Sequence, residues 1–461
     1  LMIRRPPRST HCISSAASDV YKRQGGAGLH QHGATIKIRA VNRGIRHGPL
    51  LVTQLRLSAL ALLTGAISGA GVALFMALIG LITRQLWGDP VVEGLDRQIP
   101  LVWSIAICGG IGLVLSQLHR AGDHTLLPEL PETLADLRDP DHAPPRDNGR
   151  AILGAALAQI GGGSIGPEAL MTRLAALISQ RIWRGRDHGL KFAAAAGSLG
   201  LFGFPLLGGA VVQPRQHRDL IARWIPGALG GLAGFAAFHG INEASGGSLQ
   251  RLAYSWPSNL GEDLGTLSSG ALAGVVGWGL GWLLLRWRTL LERRQLLAHW
   301  RWWPALTGLL LGITMHWLPL VPFAGEEQLR PLLESAGGKG SFLLIISALV
   351  KLVLVGLCLE TGWRGGIFFP LFLIACAVGV GLHDLWPSLG SLGSWCGGIT
   401  GAIYLTVLRS PLVALILGLG LLQGHGATGV VVGVAVAWLI THRSPTGDGP
   451  PPAQQLSLIH I

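Results

Sequence analysis

The sequence predicts an all-α polytopic membrane protein whose helices are broken at corresponding points of two related halves. Three observations carry this expectation. Only 13% of the 461 residues are charged and 49% are apolar, with a mean hydropathy of +0.46, so there is too little polar surface to cover a soluble protein of this size. Apolar runs at 57–82, 101–117, 221–240, 268–285, 303–320, 341–358, 366–382 and 411–439 mostly reach the length of about 18–20 residues that a spanning helix needs. Finally, glycine- and proline-marked landmarks in the first half return in the second.

Taken in chain order, "MIRRPPRSTHCISSAASDVYKRQ" and the final "LSLIHI" read as translated adapter sequence, and 1–24 and the tail 441–461 are set aside from fold reasoning. A basic segment, 25–54, follows. Lys37, Arg39, Arg43 and Arg46 there, with Arg56 just beyond, hold the N-terminus on the cytoplasmic side of what reads as a plasma (inner) membrane. Residues 55–285 form the first repeat half, and 302–440 the second. Between them, "RWRTLLERRQLLAHWRWW" mixes Arg and Trp as a cytoplasmic membrane edge does. The net charge of +12 is therefore assigned to positive-inside loops and not to a nucleic-acid surface, for which no fold or stacking motif exists. The 68 glycines fall largely inside apolar runs, where small residues let helices approach closely in lipid. Of five cysteines, Cys12 lies in the suspect flank, while Cys108, Cys358, Cys376 and Cys396 have apolar neighbours and no CxxC spacing. Packing is their expected role, with no metal site and no cofactor.

"GGGSIGPEAL" (161–170) and "GGIFFPLFL" (365–373) are the informative stretches. Pro205 follows Pro167 by 38 residues, and Pro411 follows Pro370 by 41, which is the register expected of a duplicated unit with broken helices around a midplane site. A helix beginning within a membrane leaves its first N–H groups unpaired and carries about half a positive charge. A small anion is the natural guest. The candidate anion-binding residues are Ser164, Ile165 and Gly166 in the first stretch, Gly366, Ile367 and Phe368 in the second, and Thr125, whose hydroxyl lies in "HTLLPELPETL" (124–134).

These landmarks resemble the CLC family of chloride channels and proton-coupled chloride transporters, over about residues 55–440. "GGIFFP" is similar to the family's G-x-F-x-P and "GSIGP" to its G-[KR]-E-G-P; "FAGEEQ" (323–328) and "LRSPL" (408–412) also look like family features. The resemblance implies a CLC-type inverted repeat of tilted and broken helices, one anion pathway per subunit, and a homodimer. It also exposes departures. Ile165 stands where the family has its gating glutamate, and Ser164 where it has a basic residue. Gln213, Pro214 and Arg215 stand where an inner proton-transfer glutamate is expected. Thr125 and Leu126 replace a serine and a glycine, and no tyrosine follows 440.

With both titratable positions changed, the expected function is passive conduction of chloride or a similar small anion, since a proton relay needs ionisable groups or water in sequence. Glu168 is a candidate displaced gate, although a carboxylate in a first helical turn is comfortable as a plain structural choice, the reading the sequence favours. Lys351, in an apolar run, needs Glu326, Glu327 or Glu360 as partner, or an aqueous lining. Three rival readings are a proton-coupled exchanger working through Glu168, a degenerate relative without transport, and a membrane hydrolase. The last would use Ser164 as nucleophile with His239, His316 or His425 as base. The favoured reading is not an enzyme.

Overall fold

A computed structural model describes residues 47–88, 99–130, 132–133, 136, 144–182, 220–244, 267–296, 300–318, 320–334 and 340–443. The chain divides into two units, Leu1–Leu50 and Leu51–Ile461, and the second carries the membrane architecture and the site. The flank 1–24, most of the basic N-terminal segment, Pro205, Gln213, Pro214, Arg215 and the tail after 443 lie outside the described residues.

The described residues form thirteen α-helices. They are α1 (His47–Trp87), α2 (Leu101–Leu118), α3 (Asn148–Ile160), α4 (Glu168–Ile182), α5 (Leu220–Ala244), α6 (Leu267–Arg293), α7 (Trp303–Trp317), α8 (Leu329–Glu334), α9 (Ser341–Glu360), α10 (Phe368–Leu385), α11 (Leu392–Leu408), α12 (Pro411–Leu421) and α13 (Ala427–Arg443). Five segments are long and apolar enough to cross a membrane: Leu55–Trp87, α2, α6, α9 and α10. Their outward faces carry bare hydrocarbon, including Leu74, Leu78 and Leu81 on α1, Val102 on α2 and Phe342 on α9, as lipid-facing helices should. α10 is central, with 72% of its apolar window buried against 28% for α2.

Without a hydrophobic force between helices in lipid, packing rests on close fit. α2 and α7 meet through small residues: a Cβ added to Gly112 would lie 2.5 Å from the carbonyl oxygen of Pro304, and one on Gly308 would strike that of Cys108. α11 packs on α6, α10, α12 and α13, and its Cys396 and Tyr404 are fully buried. The four described cysteines are free and buried.

Two boundaries differ from the sequence reading. The apolar run 411–439 is two helices, because Gln423, Gly424 and Gly426 take positive φ of 53°, 84° and 63° and end α12. α6 continues through 286–293 as helix, so the arginine-rich stretch begins inside a membrane element. Its Arg288 turns inward to Glu129 and Glu360, at 2.5 and 2.9 Å.

Candidate functional site

Two short loops build the site, 161–167 between α3 and α4 and 361–367 between α9 and α10. They repeat one another at an offset of 200 residues. Gly161 N–H donates to Leu157 O and Thr361 N–H to Leu357 O; Gly163 N–H donates to Ala158 O and Trp363 N–H to Cys358 O. Gly162 and Gly362 both adopt left-handed backbone, φ +78° and +92°, which glycine tolerates and other residues resist. The structural register thus pairs α4 starting at Glu168 with α10 starting at Phe368. It does not pair Pro167 with Pro370, since Pro167 precedes its helix while Pro370 lies inside the first turn of the other.

The loops meet in an antiparallel bridge. Gly166 N–H donates to Gly366 O at 2.7 Å, and Gly366 N–H returns the bond to Gly166 O at 2.6 Å. Two related half-helices therefore begin at one point, as an inverted repeat requires. Into that point projects the Glu168 side chain. Glu168 is 1% exposed, and its Oε1 accepts from Phe369 N–H at 2.7 Å. Oε2 is buried without a hydrogen-bond partner among the described residues. A Cβ on either Gly166 or Gly366 would strike the carboxylate. A carboxyl group from the first repeat thus rests on the helix N-terminus of the second, where partial positive charge and unpaired N–H groups favour an anion.

The other candidates fall around this centre. Ile165 is buried and its N–H donates to Gly163 O at 2.8 Å; with Gly166 and Gly366 engaged in the bridge, the amides that face a negative group are those inside the α10 start. Ile367 is the N-cap of α10. Ser164 is fully buried, and its hydroxyl donates to Val321 O. Thr125, also fully buried, donates to Gly122 O at 2.7 Å and lies 3.2 Å from His119 Nδ1. His119 Nε2 is 3.0 Å from Gly362 O, so the Thr125 loop is fastened to the far side of the second site loop.

Lys351 is fully buried on α9. Its Nζ donates to the carbonyls of Val321, Pro322 and Phe323 at 3.0, 3.3 and 2.8 Å, and Glu326 acts on it electrostatically. Glu360, one of the partners expected for it, instead accepts from Arg288. Tyr404, absent from the sequence reading, donates from its hydroxyl to Phe368 O at 2.9 Å and stacks edge-on with the Phe368 ring at 6.1 Å. Phe369 was also missed. The signal existed, because the unpaired donors of a helix are its own first amides and not those of the residues before it.

No hydrolytic arrangement forms among the described residues. Ser164 is engaged by a carbonyl, and His316 Nδ1 lies 2.5 Å from Ile99 O. The hydrolase reading has no support. No group of three His, Cys, Asp or Glu side chains that could hold a metal ion occurs among them either.

Comparison with known proteins decides the family. The model described as voltage gated chloride channel matches residues 111–442, well over half the chain. The chain belongs to the voltage gated chloride channel family. Its members are transporters, and this one is an integral membrane protein of CLC type. Curated relatives include a protein named for ion transport, YfeO of Shigella flexneri, 26% identical over 400 residues that cover 80% of this chain and 88% of the relative. Among solved structures, a slow cyanobacterial Cl−/H+ antiporter matches with TM-score 0.65 at 20% identity, covering 84% of this chain and 95% of that one. A CLC-type fluoride/proton antiporter gives 0.60 at 19%, with the same coverage. At such identities these two establish the fold of this CLC protein.

Proposed function

We propose that this chain moves small inorganic anions, chloride first among them, down their gradient through the junction of the two half-helices, with the Glu168 carboxylate as a tethered competitor for the anion site. The observation that carries the reading is the Glu168–Phe369 bond at 2.7 Å. A carboxylate and a halide ask for the same thing there: N–H donors and positive helix ends in a dry setting. An anion binds when the side chain leaves, and partial charges hold it loosely enough to let it go. This differs from the weighting that the sequence alone favours, in which Glu168 is only a comfortable first-turn residue.

Passive flow is supported by the absence of an acid at 213–215 in the sequence. It is also supported by the state of Glu129, a carboxylate near the second site loop. Burial alone would push its carboxyl up, but Arg288 and Arg364 override that and hold it below the usual carboxylate range. A group kept ionised this way is a poor proton carrier. The second reading, proton-coupled exchange through Glu168, rests on the same carboxylate position. A plasma-membrane location and a homodimer, with one pathway in each subunit, complete the proposal.

The test is chloride efflux from liposomes holding the full chain, with and without an imposed proton gradient. Passive transport predicts chloride-driven efflux in both cases and no uphill chloride movement. Uphill movement driven by protons alone would establish exchange, and silence in both would remove transport. With Glu168→Gln, efflux should lose its pH dependence, since the competitor no longer ionises.

A further inference from the structure

Two arginines meet at the second site loop, and their charges are unevenly neutralised. Arg288, from the arginine-rich end of α6, is gripped by two carboxylates: its Nε donates to Glu360 Oε1 at 3.0 Å, and its Nη2 lies 2.9 Å from the same oxygen and 2.5 Å from Glu129 Oε1. Arg364, on the loop itself, has only a share of Glu129. Its Nη1 donates to that same Oε1 at 3.3 Å, longer than the roughly 2.8 Å of a good charge-assisted bond. Its Nε is buried with no hydrogen-bond partner among the described residues, while the side chain as a whole keeps 19% of its surface open. Arg364 lies two residues before Gly366, which bonds to Gly166, and four before Phe368, where α10 begins. At the offset of 200 residues its counterpart is Ser164, which is sealed and bonded to Val321 O and which stands where the resemblance places a basic residue. An inverted repeat brings its two loops to the junction from opposite membrane faces. The cation missing from the first loop is thus present on the second, on the side where α6 ends.

We propose that Arg364 recruits the anion at this mouth of the pathway: its guanidinium draws a small inorganic anion to the second site loop, and the Glu129 carboxylate is the weak occupant that the anion displaces. The inference rests on the proposed anion transport and adds the residue that sets its apparent affinity. Glu129 cannot neutralise two guanidiniums at once, and Arg288 holds it by the shorter contact. Arg364 therefore keeps most of its field. An N–H left unbonded in a dry setting is costly, so an anion that pairs with this guanidinium gains more than it would from one already saturated, as Arg288 is. A fixed positive charge at a mouth raises the local anion concentration without changing the barrier at the junction beyond it. Its effect belongs in the chloride concentration at half-maximal flux and not in the maximal flux.

The experiment is initial chloride flux across liposomes containing the full chain, measured at neutral pH over a chloride series, for wild type and four variants. Arg364→Gln should raise the half-saturating chloride roughly tenfold with maximal flux close to wild type, and Arg364→Lys, which keeps the charge, should restore most of that loss. Glu129→Gln removes the competing carboxylate and leaves Arg364 in place, so it should lower the half-saturating chloride; it is the decisive variant if Arg364→Gln does not assemble. Arg293→Gln, at an exposed arginine on the same end of α6, should change it little. If wild type conducts while Arg364→Gln and Glu129→Gln both keep its half-saturation, the role of Arg364 is overturned and the transport reading stands. A fall in maximal flux alone, unrescued by Arg364→Lys, would also overturn it, because a purely structural ion pair behaves that way. Equal shifts for Arg293→Gln and Arg364→Gln would do the same, since they would reflect bulk surface charge. No flux in wild type at any chloride concentration would mean that the transport reading itself fails, and this inference with it.

Discussion

At Gly366 the lack of a side chain is a requirement of the proposed anion site. A methyl group there would strike the Glu168 carboxylate and fill the space an anion needs, so Gly366→Ala should lose most anion efflux at every pH. Efflux equal to wild type would show that ions pass elsewhere. Lys351→Met tests a different residue-scale claim. Three carbonyls would lose their donor in a dry setting, costing about 3 kcal/mol and lowering the unfolding midpoint in detergent. Single residues were unevenly legible. The glycines and prolines of 161–170 and 365–370 announce broken helices, because few other roles reward them inside apolar sequence. That Glu168 reaches across to Phe369 is set by side-chain torsions and by the other repeat, and a one-dimensional pattern contains neither. For Lys351 the sequence points to carboxylates, and Glu326 does act on it, but its hydrogen bonds go to three carbonyls, since backbone acceptors do not appear in a string of residue types.

At the scale of elements, the α10 start is held by three contacts: the glycine bridge, the Glu168 carboxylate, and the Tyr404 hydroxyl from α11. Tyr404→Phe should therefore cost only about 1 kcal/mol, while leaving the pH dependence of efflux in place; a flattened pH profile would mean that Tyr404 acts on the gate itself. α4 is anchored through Arg173, which lies 2.9 Å from Asp136 and bonds to Asn148 at 2.9 Å, and this fixes the direction from which Glu168 enters the site. Most apolar runs of the sequence became the expected helices, because hydropathy and length are local properties. The split between α12 and α13 was hidden: Gly424 and Gly426 break the helix only through positive φ, and glycine elsewhere in this chain sits inside helices without breaking them. Likewise the repeat was visible, but its register was not, as the prolines are a poor ruler when one precedes its helix and the other lies within it.

For the whole molecule, the inverted architecture and the family membership explain why two unrelated-looking loops end at one point. Each half alone offers a helix terminus of about half a charge; only together do they make a place that holds a full negative charge away from water. The family's gating position, Ile165, is apolar here, yet a carboxylate from three residues onward occupies the junction. On the proposed reading, the carboxyl that competes for the anion is kept while the residue that carries it has moved. The most direct measurement is chloride titration of the purified full chain by calorimetry at neutral pH, comparing wild type with Glu168→Ala. A vacated junction should bind chloride more tightly than wild type, where the carboxylate competes. Equal affinity in the two proteins, or no binding once the side chain is removed, would contradict the claim that the anion and the Glu168 carboxylate share one site.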